Sequence, residues 1–156
     1  MSVAFRRESD EEHKEPRFEL PIPAGPNLVT AHGFELIQAR VAELESATGG
    51  DEAELAYRKR QLTYWRTRLV TAQLTPAPTG EEAAFGSRVT FTLNGAPRTI
   101  DIVGDDEAEP AADRLAFSAP LARALIGNVA GDLVPFGGRE DAIEIVGVEA
   151  IPDRDA

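Results

Sequence analysis

The apolar residues of this chain change period once, and that change restricts the fold more than any other feature. From Thr30 to Leu69 they recur every three or four residues, and from Val89 onward every second residue. A chain patterned in this way is neither all helix nor all sheet. In the first stretch Phe34, Ile37, Val41, Leu44 and Ala47 make one helical stripe behind Thr30, a good N-cap. Thr48-Gly49-Gly50-Asp51 interrupts it, and Asp51 can cap a second helix along which Leu55, Leu62, Trp65 and Leu69 recur in heptad-like steps. Neither stripe can be buried alone, so the two helices are expected to pair antiparallel through the Gly-Gly turn. Tyr57, Tyr64 and Trp65 should pack near the seam rather than bind bases or a ligand. Arg58, Lys59, Arg60, Arg66 and Arg68 read as a solvated face, with docking on an acidic partner as the alternative.

The second stretch reads as strands. Val89, Phe91 and Leu93 alternate with Arg88, Thr90 and Thr92. Asn94-Gly95 is a strong hairpin signal, and Thr99 to Val103 returns as the next strand. Gly104-Asp105-Asp106-Glu107 leaves the sheet as an acidic loop. Leu115 to Phe117 is a short strand, followed by Ser118 as N-cap and a helix from Leu121 to Ile126 that stops at Gly127. Asp132 to Phe136 and Asp141 to Ile151 read as two further strands joined through Gly137-Gly138. The expected fold is α+β: a helical hairpin, then an antiparallel sheet carrying one short helix.

Proline-rich runs at Pro21–Pro26 and Thr75–Gly80 punctuate the chain. They give a polar tail and linker over 1–27, a hairpin over 28–75 and a C-terminal domain over 79–152. The tail is charged; Phe5, Phe18, Leu20 and Ile22 are its candidate anchors, against the plainer reading of a disordered arm. Charge follows the same boundaries. Residues 28–75 hold six basic and six acidic side chains, whereas residues 79–156 hold six and fifteen, so most of the net charge of -11 sits in the C-terminal part. That balance disfavours autonomous binding to a phosphate backbone. The chain has no cysteine and two distant histidines, His13 and His32, which excludes disulfides, thiol catalysis and thiolate zinc sites. No apolar run reaches the ~20 residues of a membrane span, and an intracellular, cytoplasmic protein is expected.

No GxSxG, Walker loop or HExxH is present. Asp105-Asp106 could serve as a metal or acid–base pair, but adjacent loop carboxylates are ordinarily solvated turn formers. Patterning alone therefore gives a protein-binding module, with no cofactor and no metal site expected.

Several stretches carry a family resemblance: Phe85-Gly86-Ser87-Arg88-Val89, Ile102 to Ala108, Phe117 to Gly127, Gly131-Asp132 and Ile143 to Glu149. In this order and spacing they resemble the C-terminal domain of the Gre transcript-cleavage factors. Upstream, Thr30-Ala31-His32-Gly33 resembles the opening of that family's first helix and Arg68 to Leu74 the end of its second. The resemblance implies an FKBP-like C-terminal domain that holds the rim of the bacterial RNA polymerase secondary channel, with a coiled coil reaching down it. Tip carboxylates in such factors help hold a second Mg²⁺ in the polymerase active site, a task suited to hard oxygen ligands. Carried over residue by residue, the rim contact would fall at Ser118, Ala119, Pro120, Leu121 and Arg123, with Ala119 where the family usually has serine. The tip would fall at Asp51, Glu52 and Glu54, a compressed form of the family's tip. The short arm is most similar to the nucleoside diphosphate kinase regulator group. From Thr30 to Ala47 it measures roughly 27 Å at ~1.5 Å per residue. The resemblance thus implies a non-enzymatic polymerase-binding regulator without cleavage stimulation. Its alternatives are a genuine cleavage stimulator and, more remotely, a prolyl isomerase, whose aromatic-lined pocket would have only Phe85, Phe91, Phe117 and Phe136 to draw on.

Overall fold

A computed structural model describes residues 19–152. Phe5 and Phe18 lie outside the described residues; Leu20 is half-buried and Ile22 exposed. Contacts divide the chain into two units. Of the described residues, one contains 19–25 with Ile37–Thr71, and the other contains Pro26–Leu36 with 72–152.

The first unit is built on helix α1, Ala31–Ser46, whose first six residues belong to the second unit, and helix α2, Glu52–Thr71. Within it Ile37, Val41 and Leu44 are buried at the spacing expected of α1. The seam of α2 is narrower than its heptad steps suggest. Leu62, Trp65 and Leu69 are half-buried, but Leu55 and Tyr57 are exposed, and the Tyr57 ring is met by the Arg60 guanidinium at 5.6 Å instead. Trp65 is held by Tyr64 in an edge-on contact with ring centroids 5.1 Å apart, and the Arg40 guanidinium stands 6.0 Å from its ring. An ion pair of 2.9 Å joins Glu45 of α1 to Arg66 of α2. Arg68 departs from the solvated face assigned to it: it is buried at 2% exposure, because its position on α2 turns inward.

The second unit begins with a feature that periodicity does not announce. β1, Leu28–Val29, pairs parallel with β2, Gln73–Leu74, in register Leu28 to Gln73 and Val29 to Leu74. Flanking amides extend the pair: Gln73 donates to the Asn27 carbonyl at 2.8 Å and Thr75 to the Val29 carbonyl at 2.9 Å. The expected linker at 75–80 therefore lies on this unit. The Pro78 ring stands against Gly86, and Gly80 against the backbone of Glu149–Ala150.

The main sheet follows: β3 Ser87–Leu93, β4 Ala96–Val103, β5 Arg114–Ala116, β6 Leu133–Phe136 and β7 Arg139–Ala150, in spatial order β5-β4-β3-β7-β6. Helix α3 spans Pro120–Leu125. The sheet is antiparallel except at one edge, where β4 and β5 run parallel, because a loop with a 3₁₀ turn at Pro110–Ala112 carries the chain back before β5 begins. Both hairpins turn as read. Asn94 and Gly95 have φ of 51° and 87°, and Gly137 and Gly138 have 59° and 87°, left-handed values that match the right-handed strand twist. Val89 and Phe91 point into the core with Ile100, Ile102, Leu121, Leu125, Ile143 and Ile145. On the opposite face Arg88 bonds Asp101 across β3 and β4 at 2.8 Å, which holds the guanidinium pKa above its ordinary value. A bulge between Thr90 and Phe91 leaves Val146 of β7 unmatched and exposed.

Gly104 closes the unit against β1: a Cβ there would strike the Leu28 carbonyl oxygen. Gly104→Ala should therefore cost about 1–3 kcal/mol, read as a lowered urea midpoint. Gly147→Ala, where nothing lies within 4 Å of an added Cβ, should stay within about 0.5 kcal/mol.

Candidate functional site

The residues singled out from the sequence fall in two places, described separately. At the tip of the helical hairpin, Gly49 and Gly50 take φ of 81° and 105°, and the chain then enters α2. Asp51 caps that helix through a reciprocal box. Its Oδ1 accepts the Glu54 amide at 2.8 Å, and Glu54 Oε1 accepts the Asp51 amide at 2.8 Å. Arg58 fastens the loop by donating to the Gly49 carbonyl at 2.8 Å. Two of the three tip carboxylates thus hold the start of α2. Glu52, in the first turn, is exposed and outside the box. The length of the unit is set by α2 and not by α1: twenty residues at ~1.5 Å give roughly 30 Å, slightly more than the first helix alone suggested.

In the second unit Ser118, Ala119 and Pro120 form the turn between β5 and α3. The N-cap of α3 is Ala119, not Ser118, and it makes no side-chain cap bond. Ser118 Oγ instead lies 3.3 Å from Asp105 Oδ1, so its hydroxyl ties the acidic loop to the turn. Pro120 occupies the first turn of α3, where its missing N–H is harmless. The turn is fixed by the Ala119 amide on the Ala116 carbonyl and the Arg123 amide on the Ala119 carbonyl, both at 2.9 Å. Ser118, Pro120 and Arg123 are exposed and Ala119 half-exposed, but Leu121 is a core residue at 8% exposure. Beneath the turn, Phe117 meets Phe85 edge-on with centroids 5.5 Å apart. Phe91 is wholly buried and Phe136 packs against the core. Among the described residues no group of three or more His, Asp or Glu could hold a metal ion. None of their helices is long and apolar enough to cross a membrane.

Sequence reasoning passed over Glu107. It belongs to the acidic run but is buried at 7% exposure, and it accepts a 2.6 Å bond from the Thr30 hydroxyl. Its signal was the pair of stretches, Thr30–Gly33 and Gly104–Glu107, that both carried the family resemblance.

Residues 77–150 match the family model described as transcription elongation factor, GreA/GreB, C-term. The transcription elongation factor GreA of Ralstonia nicotianae is 44% identical over 90 residues, which cover 51% of this chain and 56% of that protein. GreA of Vibrio parahaemolyticus is 46% identical over 72 residues, covering 43% and 45%. The chain spans about half the length of these curated relatives. Among solved structures, GreA factor homolog 1 (Gfh1) of Thermus thermophilus aligns with 81% of this chain and 100% of its own, at 17% identity and a TM-score of 0.39. Over residues 77–150 the chain is similar to the C-terminal domain of the GreA/GreB family.

The reciprocal box gives the tip a measurable signature. Asp51→Ala and Glu54→Ala should each destabilise the hairpin by about 1 kcal/mol. The double variant should cost clearly less than their sum, because each bond supports the other. Amide exchange at the start of α2 measures both.

Proposed function

We propose that this protein is a transcription regulator that docks on bacterial RNA polymerase at the secondary-channel rim without stimulating RNA cleavage. The observation that carries the docking half is the family match over 77–150, which contains an exposed, backbone-fixed turn at Ser118-Ala119-Pro120. Arg123 presents a cation one turn along the same helix. Leu121 acts indirectly, by holding α3 on the sheet. The polymerase performs all catalysis, the protein works in the cytoplasm where that enzyme is, and its acidic C-terminal domain leaves nucleic acid to its partner.

Two observations support the second half. A carboxylate ligates Mg²⁺ only at ~2.0–2.1 Å, so a tip displaced by one helical turn, ~5.4 Å, contributes no ligand. The arm of this chain is roughly 30 Å, whereas the resemblance implies a longer coiled coil for cleavage. Asp51 and Glu54 are, in addition, bonded to each other's amides, and each would have to release a cap bond to ligate a metal.

Full-length protein is expected to bind core RNA polymerase. Pro120→Asp should weaken binding at least tenfold while the domain stays folded, because an acidic residue in the first turn suits the helix dipole. Equal affinity of variant and parent would contradict docking through this turn. The parent protein should also reduce cleavage driven by an authentic cleavage factor, in proportion to its occupancy of the polymerase.

A further inference from the structure

Thr30 and Glu107 are 77 residues apart in sequence and joined by one hydroxyl. Thr30 Oγ1 accepts the Gly33 amide at 2.9 Å, the capping bond of α1, and donates its proton to Glu107 Oε1 at 2.6 Å. A hydroxyl has one proton and two lone pairs, so the two bonds run in the same sense and strengthen each other. The carboxylate comes from a loop wound tightly at its base, where the amides of Glu107 and Ala108 both donate to the Gly104 carbonyl at 3.2 and 3.1 Å. Gly104 itself lies against the backbone of Leu28. At the other side, Gly33 makes room: a Cβ there would stand 2.8 Å from Glu107 Oε1. A buried carboxylate is costly unless it is bonded. This one is bonded, and it lies over the first turn of a 16-residue helix, at the positive end of its dipole.

We infer that Glu107 is a positioning residue: it clamps the first turn of α1 to the C-terminal domain, and the regulator depends on that clamp rather than on its tip carboxylates. The functional half of this inference rests on the polymerase-binding reading above; the structural half does not. Burial shields the carboxylate from solvent competition, and the glycines at positions 33 and 104 let two backbones come close enough for one side chain to bridge them.

Amide exchange in the free, full-length protein tests the clamp. Glu107→Ala should speed exchange at Gly33 and Phe34 roughly tenfold, the loss expected for a hydrogen bond to a charged group. Glu107→Gln keeps an acceptor for the Thr30 hydroxyl and should restore exchange to within about threefold of the parent. Gly33→Ala should behave like Glu107→Ala although alanine is the better helix former, because its methyl displaces the carboxylate. If Glu107→Ala fails to fold, Gly33→Ala decides alone. Unchanged exchange in the folded variants overturns the clamp. With polymerase, Glu107→Ala should lose affinity and potency as an inhibitor of factor-driven cleavage in parallel, each at least tenfold, because inhibition follows occupancy, and Glu107→Gln should recover both. Full potency in a variant whose α1 exchanges fast overturns the functional half. Failure of the parent protein to bind polymerase at all is a different result, which overturns the docking reading and leaves the exchange result standing.

Discussion

The Leu28 carbonyl lies so close to Gly104 that no Cβ fits between the two backbones, and much of the structure follows from it. It brings β1 onto the domain, and β1 needs such support because a two-residue strand has little stability of its own. Parallel neighbours require a crossover of a dozen residues or more. Here the crossover between β1 and β2 is the entire helical hairpin, which leaves the domain at Thr30 and returns at Gln73. The arm is therefore an excursion from the C-terminal domain, entered and left at adjacent hydrogen-bonded positions. This also explains why the first turn of α1 shares a unit with the sheet.

What the sequence disclosed and what it hid separate along physical lines. Local chemistry was readable: Thr30 and Asp51 cap their helices, Asn94-Gly95 and Gly137-Gly138 turn with positive φ, and Val89 and Phe91 alternate inward. Each depends on neighbours within a few residues. The rest depends on partners far along the chain. Leu28 and Val29 fall at the start of the stretch read as the hairpin, and nothing local marks them as a strand until Gln73 and Leu74 are placed beside them. Ser118 has the chemistry of an N-cap, yet Asp105, from another loop, takes its hydroxyl and leaves Ala119 at the cap position. Arg68 reads as a surface cation in a polar run, but the helix turns it inward. Leu121 sits in a stretch recognisable by resemblance, and nothing local reveals that it points to the core while Pro120 and Arg123 point outward. The candidate docking turn was thus readable as a segment, and only the fold sorted its residues by exposure.

The tip illustrates how one residue pattern supports two chemistries. An Asp-x-x-Glu sequence at a helix start is a reciprocal cap, and a pair of carboxylates on a rigid arm is also half of a metal site. The two uses compete for the same oxygens. In this chain the amides of residues 51 and 54 take them, at 2.8 Å each. Glu52 alone among the three remains outside the box, and one exposed carboxylate on an arm of roughly 30 Å is a poor basis for catalysis in a distant active site. The acids then serve the arm's folding.

The most direct measurement is RNA cleavage in a halted, backtracked polymerase complex with saturating protein and Mg²⁺. The account predicts a rate equal to that of polymerase alone, unaltered by Glu52→Ala. A large stimulation of cleavage that disappears with Glu52→Ala or Asp51→Ala would contradict it, by showing that the tip carboxylates reach the metal.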